Sequence, residues 1–141
     1  MPNQLISPPG LATTAPYAYV ALAAAGQMVF TAGACPLDAT GRTTHVGDLD
    51  GQCHQAVTNL LAALHAAGAD LSDVVKTTIY VASDQREDLV AAWTAISSYF
   101  SPHPPSTLLG VTVLGYPDQL VEVEAIAVIP PRTAGLPTES R

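Results

Sequence analysis

The chain has 141 residues, 48% of them hydrophobic and only 12% charged, with a mean hydropathy of +0.27. Twelve acidic against five basic side chains leave a net charge of −7. The five cations, Arg42, Lys76, Arg86, Arg132 and Arg141, are scattered, so the clustered Lys and Arg that displace counterions from nucleic acid are missing.

The length fits a single domain over residues 1–129, with 130–141 expected as a mobile tail beyond Pro130-Pro131. So little charge on a domain this small points to surface buried against further copies of the chain. The N-terminus lacks the basic and apolar regions of a signal peptide, and the apolar run from Ala18 to Ala25 is too short to span a bilayer. Cys35 and Cys53 have no metal-ligand or CxxC spacing and read as free thiols of a reducing compartment. The expectation is a soluble, cytoplasmic protein with no membrane or nucleic-acid partner, no metal and no cofactor.

The leader, residues 1–16, is rich in proline and contains the short apolar pair Leu5-Ile6, which suits an extended segment or edge strand. Two apolar runs, Tyr17 to Ala23 and Met28 to Ala32, flank Ala24-Ala-Gly-Gln27 and predict a hairpin. Gly33 closes the second run, either relieving crowding or letting a ligand approach the backbone. Asp38-Ala-Thr-Gly41 is a turn. From Asp48 to Ala67, Val57, Leu60, Leu61 and Leu64 fall on one face of a 3.6-residue period, with Asp48 and Asp50 at the start and Gly68 as the stop. His54 and His65 on this helix lack ligand spacing to one another.

Asp73 to Ala82 is a β-branched strand. Asp84 and Glu87 predict a capping box for a second helix reaching about Phe100, its core face made by Leu89, Val90, Trp93, Ile96 and Phe100. Packing accounts for Trp93 in full. Two closing strands follow, Thr107 to about Val113 and Leu120 to Ile129, joined by a turn. The order β-β-β-α-β-α-β-β, with hairpins at both ends, predicts an α+β layer whose two helices cover one face of a mixed sheet. The other face then needs a partner.

Within the last strand, Glu122 and Glu124 alternate with Val121, Val123 and Ala125. A carboxylate in so apolar a run is either a hydrogen-bonded strand-end group at a subunit seam or a general acid/base held in a pocket. Cys35 has no adjacent base in the sequence, so it is not expected to be a nucleophile.

Further segments carry a resemblance: Ala15-Pro-Tyr17, Phe30-Thr-Ala-Gly33, Pro36-Leu-Asp-Ala-Thr-Gly41, Gly47-Asp48 with Gln52 and Asn59, Ala66-Ala-Gly-Ala69, Val74-Val-Lys-Thr77, Tyr99-Phe100, His103-Pro-Pro105 and Leu120-Val-Glu-Val-Glu-Ala-Ile-Ala127. In this order, over roughly residues 4–129, they resemble the RidA (YjgF) family, often labelled "L-PSP endoribonuclease". The resemblance implies a homotrimer with a chorismate-mutase-like barrel and small-molecule pockets between subunits. Active members hydrolyse imines or enamines, such as aminoacrylate, to a keto acid and ammonia. It implies Glu122 as the group handling the attacking water, with Tyr17 and Gly33 helping to build the pocket.

The position of the family's carboxylate-clamping arginine holds Ser106 here. Arginine offers a charged bidentate fork and serine one neutral hydroxyl. Leaving a partly buried carboxylate without its cation costs on the order of 3–5 kcal/mol, or roughly two to three decades in affinity or rate. Arg42 or Arg86 of a neighbouring subunit are candidates to replace it. Three readings follow. One is a divergent imine hydrolase in which Glu122 works with Ser106 and Thr107 on a substrate not clamped by arginine. The second is a small-metabolite-binding protein without turnover, and the third a specialised enzyme of a secondary pathway. Hydrogen bonding in the loop after Pro105 equally accounts for Ser106 and Thr107. Nuclease activity is the weakest fit to the charge.

Overall fold

A computed structural model describes residues 2–131. Most of the expected tail, 132–141, lies outside the described residues. In chain order the elements are β1 (Gln4–Ile6), β2 (Val20–Leu22), β3 (Gln27–Phe30), α1 (Leu49–Ala66), β4 (Val74–Ala82), α2 (Arg86–Ser97), β5 (Ser106–Val111) and β6 (Val121–Ile129). A 3-10 turn, Leu71–Asp73, leads into β4. The α+β order read from the sequence is therefore the order observed.

The strand pairing is not. Neither expected hairpin forms. The main sheet runs β3-β6-β4-β5, and β1 and β2 make a separate two-stranded sheet. At the C-terminal end β4 lies between the two closing strands, antiparallel to β6 and parallel to β5. The long 112–120 link lets β6 skip past β4 rather than fold back on β5, so the long β-branched β4 gains two neighbours. At the N-terminal end β2 pairs with the leader and β3 with β6. Asn3 joins the two sheets: its Oδ1 accepts from Ala24 N at 2.8 Å and its Nδ2 donates to Val128 O at 2.9 Å. Gly26 allows the tight passage, since a Cβ there would lie 2.1 Å from Ile129 O.

α1 ends at both termini as its sequence dictates. The Asp48 carboxylate accepts from Gly51 N at 3.0 Å. At the other end Gly68 adopts φ 80°, with Gly68 N bonded to His65 O and Ala69 N to Leu64 O, a Schellman ending. α2 departs from expectation. It starts at Arg86 behind Gln85, and no side chain caps it. Ser83 acts instead, accepting from Gln85 N at 2.9 Å and donating to Asp88 at 2.6 Å. The helix stops at Ser97, and Val90 is exposed, its place in the core taken by Ala92 and Ala95.

Both helices contribute to one core. Val57, Leu60 and Leu64 of α1 and Ile96 of α2 are fully buried together with Ile79 of β4 and Val123 of β6. The opposite sheet face is open, carrying Phe30 (67% exposed), Met28, Tyr80, Glu122 and Glu124. No helix among the described residues is long and apolar enough to cross a membrane.

Gln52, fully buried on α1, fixes the loop that delivers β6. Its Nε2 donates to Asp118 O at 2.9 Å and its Oε1 accepts from Leu120 N at 2.8 Å. Gln52→Leu fills the same space and leaves both backbone groups without partners. Urea unfolding is expected to show a loss of about 2–4 kcal/mol. A loss below about 0.5 kcal/mol would show that water reaches this loop.

Candidate functional site

β6 presents Glu122 on the open face, with Tyr80 of β4 as its Cα partner. On the other side the chain leaving β3 rejoins β6 through a bridge at Ala34 and Val123, with Ala34 N donating at 2.6 Å and Val123 N returning at 3.1 Å. This brings Gly33 against the carboxylate. A Cβ on Gly33 would sit 2.5 Å from Glu122 Cδ and 2.8 Å from Oε2, closer than atoms tolerate. Of the two readings open for Gly33, relief of crowding is the one this contact fits, and the crowding group is the Glu122 side chain.

Cys35 is the site residue that sequence reasoning missed. Its thiol donates to Glu122 Oε1 at 3.0 Å, so the adjacent base judged absent is supplied by a residue far along the chain. Burial first, and then the hydrogen bond and charge of Glu122, push the Cys35 thiol up to about 11. It stays protonated at neutral pH, as a donor rather than a thiolate nucleophile. Asn59 of α1 holds the segment, donating to Cys35 O at 2.8 Å and Leu37 O at 2.9 Å. A groove of about 490 Å³ opens here, lined by Gly33, Cys35, Leu37, Asn59 and Tyr116 among others.

Further down the open face, Tyr80 donates to Glu124 Oε1 at 2.8 Å, which pushes the phenol up. Lys76 Nζ donates to Thr107 Oγ1 at 2.8 Å. Lys76 and Glu124 share a cavity of about 250 Å³ with Phe30 and Ile126. Sequence position hid this cation. Lys76 is far from Ser106 along the chain, yet β4–β5 pairing sets Thr107 beside it.

Ser106 itself accepts a hydrogen bond from the buried Thr77 at 2.7 Å. In register, Ser106 stands beside Thr77 and Thr77 beside Ala125, which is three residues along β6 from Glu122 and two strands across. At about 3.3 Å per residue and 4.8 Å per strand, that is roughly 14 Å. One chain does not bring Ser106 and Glu122 to a common substrate.

Tyr17 lies elsewhere again, edge-on to Trp93 at 5.9 Å between ring centroids and to Tyr19 at 5.7 Å. Trp93 also meets the His103 ring at 4.4 Å, and Phe100 meets it at 4.7 Å. Tyr17 and His103 border a shallow recess formed with Pro16, Ala18 and Pro102. The structure thus joins Gly33 with Glu122 and places Ser106, Thr107 and Tyr17 apart from them.

The fold is an α+β layer with one helix-covered face and a strand carboxylate, Glu122, beside Gly33. The family model for Endoribonuclease L-PSP matches residues 10–129. A RutC family protein of Pyrococcus horikoshii is 36% identical over 104 residues, 73% of this chain and 80% of its own length. The 3-aminoacrylate deaminase RutC of Acinetobacter baylyi is 30% identical over 128 residues, covering 90% of this chain and 98% of the relative. Among solved structures, the Rid family protein YyfB of Yersinia pestis, of unknown function, superposes with a TM-score of 0.83 at 28% identity. That match covers 92% of this chain and all of the neighbour. The chain belongs to the endoribonuclease L-PSP family, the group that includes the Rid, RutC and YjgF proteins.

His103 carries a pH dependence. Its Nδ1 donates to Pro104 O at 2.8 Å, and its buried Nε2 has no partner among the described residues. Burial pushes its pKa below the ordinary value of 6.5. The unfolded chain takes up this proton more readily than the folded one, so stability falls as pH drops below about 6.5. Unfolding free energies measured from pH 7.5 to 5.5 are expected to fall more steeply for the native chain than for His103→Gln. Equal slopes would place a proton on the folded imidazole.

Proposed function

We propose that this chain is an enamine/imine hydrolase of the deaminase type, assembled as a homotrimer whose pockets lie between subunits and taking a substrate not clamped by arginine. One observation carries the reading: Glu122 is held against Gly33 with Oε1 bonded to a neutral thiol, at the edge of an open groove. Gly33 and Cys35, the two residues that the carboxylate touches, line that groove, whose volume of about 490 Å³ admits a small substrate and water.

The chemistry needs one proton-transfer group. With the imine nitrogen already protonated, Glu122 takes a proton from water as the water oxygen bonds to the imine carbon, and the C=N π pair moves onto nitrogen to give an amine. The carbinolamine then collapses. Glu122 returns its proton to nitrogen and then takes the hydroxyl proton as the C=O forms and the C–N bond breaks, so that ammonia and a carbonyl compound leave. An enamine first takes a proton on carbon to become the imine. Glu122 serves each step by alternating between its two protonation states.

The oligomer is proposed for a geometric reason. Glu122 lies roughly 14 Å from Ser106 within one chain, so a substrate that uses both must bridge two copies. The exposed Phe30 and Met28 on the open face suit burial in such an assembly. In this arrangement Glu122 and Gly33 of one copy face Ser106, Thr107 and Tyr17 of the next. Ser106 and Thr107 would bond an uncharged part of the substrate, and Tyr17 would form wall. Cys35 and Cys53 are both free thiols, which suits the reducing cytoplasm as the place of action.

A second reading rests on Ser106. Without the arginine, the same pocket binds a small metabolite and releases it unchanged.

The test supplies aminoacrylate from a dehydratase and imines of uncharged ketones from an amine oxidase, following carbonyl release above the spontaneous rate. Acceleration is expected with the uncharged imines, falling at least about 100-fold in Glu122→Ala, the range of a lost acid/base group. Ser106→Arg is expected to raise turnover of the carboxylated substrate at least about tenfold. No acceleration with any imine, alongside measurable binding of the carbonyl product, would favour the second reading.

A further inference from the structure

Glu122 has two oxygens with unequal surroundings. Oε1 accepts from the Cys35 thiol, whereas Oε2 lies over the Cβ-free side of Gly33 and makes no hydrogen bond among the described residues. The thiol is not placed by Glu122. The backbone of Cys35 is fixed from two directions, by the Ala34–Val123 bridge just before it and by the Asn59 amide on its carbonyl. A second acceptor, Gly33 O, lies at 3.5 Å from Sγ, so the shorter contact to the charged carboxylate takes the single thiol proton. The buried Gln119 amide also borders the thiol. Cys35 further lines the groove into which the proposed substrate would enter.

We propose that Cys35 is a positioning residue for Glu122: its thiol anchors Oε1, Gly33 leaves room for the carboxylate plane, and Oε2 remains the single lobe that exchanges protons with water and substrate. This deepens the hydrolase reading and rests on it for the role of Oε2. The contact itself stands without it. A carboxylate with one anchored oxygen cannot rotate freely about its terminal torsion, which is broad and roughly two-fold in an unrestrained glutamate. The free oxygen is thereby presented in one direction.

The contact works in both directions. A thiol that donates to a carboxylate resists losing its proton, so Glu122 shields Cys35 from electrophiles. Removing the charge while keeping the shape should release the thiol. Iodoacetamide is the probe, with the rate at Cys35 read by peptide mass spectrometry on the full chain at pH 8. In Glu122→Gln the rate at Cys35 is expected to rise about three- to tenfold, the thiolate gain per pKa unit partly offset by lower intrinsic nucleophilicity. Cys53, fully buried with a thiol pushed up to about 12, serves as the unreactive control. Glu124→Gln removes the same charge from the same face and is expected to leave Cys35 unchanged. An unaltered rate in Glu122→Gln, or an equal rise in Glu124→Gln, overturns the contact.

The positioning role has its own readout. Cys35→Ser retains a donor and is expected to keep most of kcat, while Cys35→Ala is expected to lower kcat about tenfold with KM little changed. Equal losses in the two variants, or a loss confined to KM, overturn positioning. If the native chain turns over no imine, the hydrolase reading fails and the iodoacetamide rates still decide whether the contact exists.

Discussion

The register of β6 is the constraint on which the site depends. This strand pairs with β4 on one side and with β3 and Ala34 on the other, and each pairing fixes a neighbour of Glu122. Val123 bridges Ala34, so Gly33 passes over the carboxylate and Cys35 reaches it. A slip of one residue would turn Glu122 into the core beside Ile79 and place Val123 on the open face. Burial of Val121, Val123, Ala125 and Ala127 guards against that slip. The apolar half of the strand thus secures the position of its polar half.

One chain holds the parts of the proposed site without assembling them. Glu122, Gly33 and Cys35 share one end of the sheet, while Ser106 and Thr107 lie on its far edge strand and Tyr17 packs on Trp93. Two features bear on what such a pocket selects. Ser106 already accepts from Thr77, which leaves its own hydroxyl proton as the part free to donate. Lys76, through Thr107, brings positive charge to the neighbourhood of the missing arginine, but as a point charge on a flexible stem rather than a planar fork. Hydrolysis of an uncharged imine asks little of either residue beyond hydrogen bonding.

What could be read from the sequence was local. α1 was legible from Asp48 to Gly68 because its caps and apolar period all lie within one segment. The strands were legible as strands, since β-branched alternation marks them wherever they pair. Their partners were not. A hairpin is the cheapest closure for adjacent strands, but here Asn3 holds β2 to the leader and β4 separates β5 from β6. The Asp84 capping box failed by a small margin, because Ser83 reached Asp88 and moved the helix start to Arg86. Glu122 stood out as a charge in an apolar run. Cys35 and Lys76 did not, because their importance arises only from contacts with Glu122 and Thr107 across the sheet.

In the proposed assembly the site is completed by a second copy, with Glu122 of one chain across an open gap from Ser106 and Thr107 of the next. A crystal structure of the assembled protein soaked with a small ketone, the product of an uncharged imine, tests it most directly. Three copies are expected around an axis. The ketone oxygen should lie within hydrogen-bond reach of Glu122 Oε2 in one copy and of a Ser106 or Thr107 hydroxyl in its neighbour. A monomer, or a trimer in which Glu122 is sealed against the neighbouring chain with no room for the ketone, would contradict it.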